Sequence, residues 1–174
     1  IGGSGASRLA ALENTRRQVI CTPYGEPSAA LTYGVLRGRE VVFLARHGYG
    51  HTIPPHAVNY RANIWALAAQ GVHAIVGIAA VGGIRSDLAP GVIAVPSQII
   101  DYTYGRRATF FDGSDDRVRH IDFTEPYTPA VRAALLQAGR NAEEPIIDGG
   151  VYAAMQGPRL ETTAEIERLE RACA

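Results

Sequence analysis

One short stretch of the sequence gathers a guanidinium and three imidazoles. Arg46 and His47 are adjacent, and His51 and His56 follow within ten residues, in a segment rich in glycine and stiffened by Pro54-Pro55. Arginine presents a planar fork of N–H donors that matches the oxygens of a phosphate or a carboxylate. Imidazoles add further donors at the same place. The combination of residue types predicts an anion site.

A strand and a helix must position this segment. Residues 31–36 and 41–45 flank Arg37-Gly38-Arg39, and their spacing predicts a β-hairpin with a short glycine turn. The second run, VVFLA, is apolar throughout and predicts a central strand of the sheet. Arg46 and His47 would then emerge at the carboxyl end of that strand, where open α/β sheets bind ligands.

The other elements follow from periodicity and turn residues. Residues 59–70 predict a helix that buries Ile64, Trp65, Leu67 and Ala68 and ends at Gly71. Further predicted strands are a buried one at 74–80 and two more at 92–95 and 150–155. The remaining predicted elements are a short helix or loop at 8–14, a polar and aromatic loop at 101–112, a helix at 129–140, and a last helix capped by Thr162 or Thr163 with Glu165 and Glu167 at its positive end.

Three of the predicted strands run into turns that carry glycine. These turns are Gly2–Gly5, Arg46–Gly50 and Ala80–Gly83. If the carboxyl ends of the three strands are neighbours, their backbone N–H groups, together with Ser4 and Arg46, can surround one tetrahedral anion. This convergence is more specific than any one of the motifs alone.

Composition narrows the class of protein. The 174 residues are 47% hydrophobic and 20% charged with a formal net charge of zero, which predicts one domain over residues 1–174 and argues against a nucleic-acid partner. Two widely spaced cysteines do not form a disulfide framework, so we expect a reducing cytoplasm. No apolar run is long enough to span a membrane.

Because the chain opens on a glycine turn without Met and stops within a helical pattern, we expect a strand before Ile1 and further chain after Ala174.

Other chemistries fit the histidine segment less well. His47 and His51 have the spacing of a helical zinc motif, but glycines and prolines make the segment a loop, so no metal site or cofactor is predicted. Gly2-Gly3-Ser4-Gly5 lacks the Gly-x-Ser-x-Gly spacing of a hydrolase elbow. His56 and His73 are expected to be structural or exposed histidines.

The motifs taken together resemble the trimeric purine nucleoside phosphorylases. They occur in family order over nearly the whole chain: ARHGxxH, PPHxVNYRANIWAL, AVGGI, PGxxxVPxQxIDYT, HIDFxxPY and GVYAxxQGPRLETxAEI. Within the family they are most similar to the 5′-methylthioadenosine and S-methyl-5′-thioinosine phosphorylases. The resemblance implies a three-layer α/β fold in which helices flank a central mixed, partly barrel-like sheet.

The resemblance also implies a reaction and a set of residues. Inorganic phosphate would attack C1′ of a purine nucleoside, giving the free base and a (5-methylthio)ribose 1-phosphate, with no other cofactor. Arg46 and His47 would be catalytic. The residues implied to bind phosphate are Ser4, Arg46, His47 and Ala80, and those implied to bind the nucleoside are His51, His120, Met155, Leu160 and Glu161. A homotrimer is expected, with His120 reaching the site of a neighbouring subunit.

The resemblance implies that Glu161 discriminates between the possible substrates; the alternative is that it is simply an acid at the N-terminus of the last helix. A carboxylate here can accept the N1–H of a 6-oxopurine, such as inosine or S-methyl-5′-thioinosine, whereas N1 of adenine is itself an acceptor. A phosphorylase that releases adenine from methylthioadenosine is the alternative, followed by a hydrolytic nucleosidase and a non-enzymatic binding protein. The family's group at purine N7 falls beyond Ala174, so the sequence does not identify the general acid.

Overall fold

The computed structural model of the protein describes residues 1–3, 9–113 and 118–173. The chain forms two compact units. The first consists of Ile1–Ala80 with Gly105–Asp116, and the second of Val81–Tyr104 with Arg117–Ala174. The prediction of a single domain stays a prediction.

The described residues contain seven strands and three α-helices, numbered in chain order. The first unit holds β1 (Glu13–Gln18), β2 (Leu31–Leu36), β3 (Arg39–Phe43), a 3₁₀ turn at Pro55–Ala57 and α1 (Tyr60–Ala68). The second unit holds β4 (Ile93–Val95), β5 (Gln98–Asp101), α2 (Pro129–Asn141), β6 (Ile146–Asp148), β7 (Val151–Ala154) and α3 (Thr163–Cys173). No helix among them combines the length and the apolar character needed to cross a membrane.

The predicted hairpin is confirmed. β2 and β3 pair antiparallel, with Leu36 opposite Arg39. The two residues between them, Arg37 and Gly38, have φ values of 47° and 76°, as a type I′ turn requires. The expectation that the VVFLA run is central is confirmed. Its residues 41–43 pair with β2 on one side, and Ala45 at its end forms a parallel bridge with Gly2 on the other. Among the three named strands of this sheet, β2 is the middle one.

Strand β1 was not predicted from the sequence, where residues 8–14 suggested a helix or loop. Its sequence, ENTRRQ, is polar and exposed at every position, so it has no alternating apolar pattern. Its backbone pairs antiparallel with β2, and two of its arginine side chains contact aromatic rings of the same unit. Arg16 lies 4.0 Å from the ring centre of Tyr33, and Arg17 lies 4.3 Å from that of Tyr49, both in cation–π geometry.

Helix α1 forms where predicted but buries a different face. Asn59 caps it by accepting a hydrogen bond from the backbone N–H of Ala62. The buried residues are Ala62, Asn63, Ala66 and Leu67, while Ile64 is 36% exposed and Ala68 is also exposed. Small residues allow the helix to pack closely on Leu31 and Leu44, which are fully buried. Burial of each leucine contributes about 1.5–3 kcal/mol.

The predicted buried strand at residues 74–80 was wrong. This segment is exposed along its length, and within the described residues its one bridge is the isolated parallel bridge between Ile78 and Gly2. Its apolar side chains remain accessible: Ile75 is 38%, Val76 39% and Ile78 52% exposed. An apolar run supplies the propensity for a strand, but a ladder requires a partner strand of matching length.

The second unit is built on parallel pairing. β4 pairs with β6, and β5 pairs with β7, so two sheets each contain two strands. The strands predicted at 92–95 and 150–155 are confirmed, while β5 and β6 were not predicted. Arg132 of α2 donates to the carbonyl of Pro96 at 2.8 Å and pairs with Asp148, which holds the helix against β4 and β6.

The predicted α/β class with mixed pairing is confirmed. The first unit contributes an antiparallel sheet and the second contributes two parallel pairs. Within the described residues these strands do not close into a barrel.

Candidate active site

Three extended segments lie side by side in the first unit. Gly2 forms parallel bridges with Ala45 on one side and Ile78 on the other. Backbone hydrogen bonds hold them, from Arg46 N to Gly2 O at 3.0 Å and from Ile78 N to Ile1 O at 2.9 Å. The adjacency expected for the three strand ends is therefore present at these residues.

Arg46 is held by neutral partners. Its Nε donates to Nε2 of His47 at 3.1 Å, and its Nη1 donates to the carbonyl of Ile78 at 3.2 Å. Across residues 1–3, 9–113 and 118–173, no carboxylate pairs with Arg46 and no acceptor is bonded to its Nη2. Because the guanidinium is oriented but not neutralised, it can bind an oxyanion.

His47 is oriented by the backbone. The ring is buried, with 7% of the residue exposed, and Nδ1 lies 2.8 Å from the carbonyl of Ile53. A proton on Nδ1 satisfies that carbonyl and leaves Nε2 to accept from Arg46. The ring of His51 lies 4.9 Å away, centre to centre, and is tilted by 52°. The structure therefore brings Arg46, His47 and His51 together.

The histidines lie in a turn, as predicted. Gly48 has φ 75°, which favours glycine, and its N–H donates to the carbonyl of Ala45 at 3.0 Å. His51 also has a positive φ, of 53°. The described residues contain no group of three or more His, Cys, Asp or Glu side chains placed to hold a metal ion.

Gly3 makes room for the guanidinium, a role that sequence reasoning missed. A Cβ atom on Gly3 would lie 2.6 Å from Cζ of Arg46. Real Cβ contacts are never that short, so the arginine would have to move. The sequence signal was present in the paired glycines at the start of the chain, which the sequence analysis valued only for their backbone N–H groups.

Replacing Gly3 with alanine is therefore expected to displace Arg46 without unfolding the protein. The atoms in the way belong to the end of a flexible side chain. Loss of a well-placed charged hydrogen bond corresponds to roughly a ten- to hundredfold loss of affinity. We expect the KM for phosphate to rise by about that factor, with little change in the melting temperature, measured by steady-state kinetics and thermal unfolding.

Gly77→Ala is the matched control for this substitution. Gly77 lies in the neighbouring extended segment, and a Cβ atom there would meet nothing within 4 Å. Its variant should keep the KM for phosphate of the parent protein. An equal rise in both variants would show that the effect of Gly3→Ala does not pass through Arg46.

The other two predicted phosphate ligands have different positions. Ser4 lies outside the described residues. Ala80 is exposed and follows two residues after Ile78, whose carbonyl accepts from Arg46. Ala80 therefore continues the segment that borders the guanidinium.

Of the five residues expected to bind the nucleoside, His51 belongs to the first unit and the other four belong to the second. Met155 is half-buried and directly follows β7. Leu160, which is 85% exposed, and half-buried Glu161 lie on the segment that connects β7 to α3. His120 is exposed and lies outside helices and strands. Three of these four residues thus share one connecting segment.

A salt bridge on this connecting segment was also missed from the sequence. Arg159 binds the carboxylate of Glu165 with two hydrogen bonds of 2.8 Å each. Thr162 and Glu165 form a capping box, in which Thr162 N donates to Oε2 of Glu165 and Glu165 N donates to Oγ1 of Thr162. The hydrogen bonds from Arg159, followed by that from Thr162, lower the pKa of Glu165 to about 2. The Thr-x-x-Glu spacing predicts the helix cap, but nothing in the sequence pattern predicts that Arg159 binds Glu165.

Comparison with known proteins places the chain in a family. The family model of the Phosphorylase superfamily matches residues 1–174. A probable S-methyl-5′-thioinosine phosphorylase of Pseudomonas syringae pv. tomato is 50% identical over 171 residues, which cover 98% of this chain and 70% of that protein. The 6-oxopurine nucleoside phosphorylase of Pyrococcus furiosus is 48% identical, over 95% of this chain and 63% of that protein.

Comparison with solved structures supports the same family assignment. A methylthioadenosine phosphorylase from an antarctic soil metagenomic library superimposes with a TM-score of 0.91 at 40% identity, covering 99% of this chain and 61% of that one. The chain therefore spans about three-fifths to seven-tenths of the length of these proteins. The family resemblance inferred from the motifs is confirmed: the chain belongs to the Phosphorylase superfamily.

Proposed function

We propose that the protein is a purine nucleoside phosphorylase that cleaves 6-oxopurine nucleosides, with S-methyl-5′-thioinosine and inosine as the favoured substrates. Inorganic phosphate is the co-substrate, and the products are the free purine and a (5-methylthio)ribose 1-phosphate. The names of relatives at 48% and 50% identity support this reaction.

The observation that carries the proposal is that the Arg46 guanidinium is oriented by hydrogen bonds but has no acidic partner among the described residues. Its guanidinium is fixed by the ring of His47 and the carbonyl of Ile78, and no described carboxylate neutralises it. A guanidinium that is oriented in advance and left unpaired is suited to a phosphate dianion.

The chemistry needs such a clamp. As the bond from C1′ to the purine nitrogen breaks, its electron pair leaves with the base and the sugar gains oxocarbenium character. A phosphate oxygen then forms the new bond to C1′. Arg46 would hold phosphate in line for this attack, so that positioning and charge stabilisation supply the rate enhancement. His47 would keep Arg46 in place and border the same anion.

Glu161 supports a 6-oxopurine as the base. The described residues donate no hydrogen bond to its carboxylate, although it is half-buried. An unpaired carboxylate is a strong acceptor for the N1–H of hypoxanthine or guanine, while the lone pair on N1 of adenine would repel it. Met155 and Leu160 would border the nucleoside from the same segment.

Release of adenine from methylthioadenosine is the second candidate. It is favoured by the likeness to the metagenomic methylthioadenosine phosphorylase at 40% identity. The presence of Glu161 opposes it.

We further propose a homotrimer in which His120 contacts the nucleoside of a neighbouring subunit, and a cytoplasmic location as predicted from the cysteine pattern.

The proposal is tested with protein expressed from the complete gene. Hypoxanthine release from inosine and S-methyl-5′-thioinosine is followed with and without phosphate. We expect turnover that requires phosphate and exceeds adenine release from methylthioadenosine. Turnover that does not depend on phosphate would indicate a hydrolase, and the absence of turnover on all three nucleosides would refute the proposal.

A further inference from the structure

The segment between β7 and α3, together with the first turn of α3, carries three charged side chains in a short space. Arg159 lies two residues before Glu161 and six before Glu165, so two carboxylates compete for one guanidinium. In the structure Arg159 binds Glu165 at both of its terminal nitrogens, while Glu161 accepts no hydrogen bond from any described residue. The outcome of this competition decides whether Glu161 is available to a ligand.

Glu165 also binds residues on both sides of Glu161. It binds the side chain of Arg159 before Glu161 and the backbone N–H of Thr162 after it. Arg159 in addition donates to the carbonyl of Leu160 at 3.1 Å. Three hydrogen bonds to one carboxylate thus close a loop around Leu160 and Glu161.

Arg159 remains within electrostatic reach of Glu161. Its hydrogen bond to Glu165 is the largest cause of its raised pKa, and Glu161 contributes a smaller effect in the same direction. If Glu165 lost its charge, Glu161 would be the nearest carboxylate in the sequence to take the guanidinium. Because Arg159 is 67% exposed at its side chain, such a rearrangement meets little steric resistance.

We propose that the Arg159–Glu165 pair is a positioning element that withholds Arg159 from Glu161 and so keeps the Glu161 carboxylate open for the N1–H of a 6-oxopurine. This inference rests on the proposed function of the site. It assigns Arg159 and Glu165 to base specificity, although neither would contact the substrate.

Three variants test the proposal as a cycle. Glu165→Gln should lower the ratio of kcat/KM for inosine over adenosine by about tenfold, through a higher KM for inosine, because the freed Arg159 pairs with Glu161. Arg159→Gln should leave the ratio unchanged. The double variant should behave like Arg159→Gln, since no guanidinium remains to occupy Glu161.

Glu167→Gln is the matched control, because Glu167 is exposed on the same helix and should leave the ratio unchanged. If the double variant is as impaired as Glu165→Gln, the carboxylate acts through the helix cap and the proposal is overturned. An unchanged ratio in Glu165→Gln overturns it as well.

A crystal structure of Glu165→Gln tests the inference independently of turnover. It should show Arg159 within about 4 Å of a carboxylate oxygen of Glu161. Arg159 directed into solvent would overturn the inference even if the enzyme is a phosphorylase. The expected pair in a protein that proves inactive on nucleosides would support the competition between the carboxylates while refuting the proposed function.

Discussion

Replacing Arg46 with glutamine is expected to lower kcat/KM for phosphate by about 10²–10³-fold, the loss typical of removing one preorganised donor to a developing charge. Glutamine keeps a polar side chain but has no positive charge and no planar fork of donors. The loss should appear in both kcat and the KM for phosphate, because the arginine would bind phosphate and also align it. Steady-state kinetics with phosphate as the varied substrate provides the measurement.

The fold should tolerate this change. Arg46 makes two side-chain hydrogen bonds to neutral acceptors, each contributing on the order of 1 kcal/mol. Arg46→Lys should give an intermediate loss, since lysine keeps the charge but cannot form the bidentate contact. Arg39→Gln is the matched control, because Arg39 is exposed at the start of β3 and should not alter the kinetics. Unchanged kinetics in Arg46→Gln would contradict the assignment of Arg46 as the phosphate clamp.

Replacing Glu161 with glutamine is expected to change the base preference. In the proposed site the carboxylate would accept the N1–H of a 6-oxopurine, and loss of a charged acceptor corresponds to roughly a ten- to hundredfold loss in kcat/KM. The new amide can donate to N1 of adenine, so activity on adenosine should hold or rise. The ratio of kcat/KM for inosine over adenosine should therefore fall by at least about tenfold.

Activity on the two nucleosides, measured side by side at saturating phosphate, gives this ratio. Glu170→Gln changes an exposed acid on α3 and should preserve it. An unchanged ratio in Glu161→Gln would mean that Glu161 serves the helix terminus and that another group recognises the base.

The elements that the sequence predicted well are those whose signals are local. The turn at Arg37-Gly38 demands positive φ values, and α2 begins at Pro129 as its N-terminal proline indicated. Strand β1 escaped prediction because arginines over aromatic rings replace the usual apolar pattern. The apolar run at residues 74–80 predicted a strand that does not form, because its only bridge partner in the described chain is Gly2.

The candidate site likewise contains some residues that the sequence identifies and some contacts that it does not. Arg46 and His47 were identifiable from residue type and from their place after an apolar run. The partners that orient them were not, since the carbonyls of Ile53 and Ile78 come from backbone that any residue could supply. The sequence shows a glycine at position 3, but it does not show that the missing side chain leaves room for the Arg46 guanidinium. The Arg159–Glu165 pair depends on a turn whose conformation no local pattern specified.

The parallel bridges at Gly2 have a consequence for the order of folding. The β2–β3 hairpin joins residues close in sequence, whereas Ile1 binds Val76 across 75 positions and Arg46 binds Ile78 across 32. Closing such long loops costs more chain entropy than closing a hairpin. The hairpin that presents Arg46 should thus form before the contacts that orient its guanidinium. Amide exchange should then protect β2 and β3 ahead of Ile78, and an early folding species would contain the hairpin without the ability to bind phosphate.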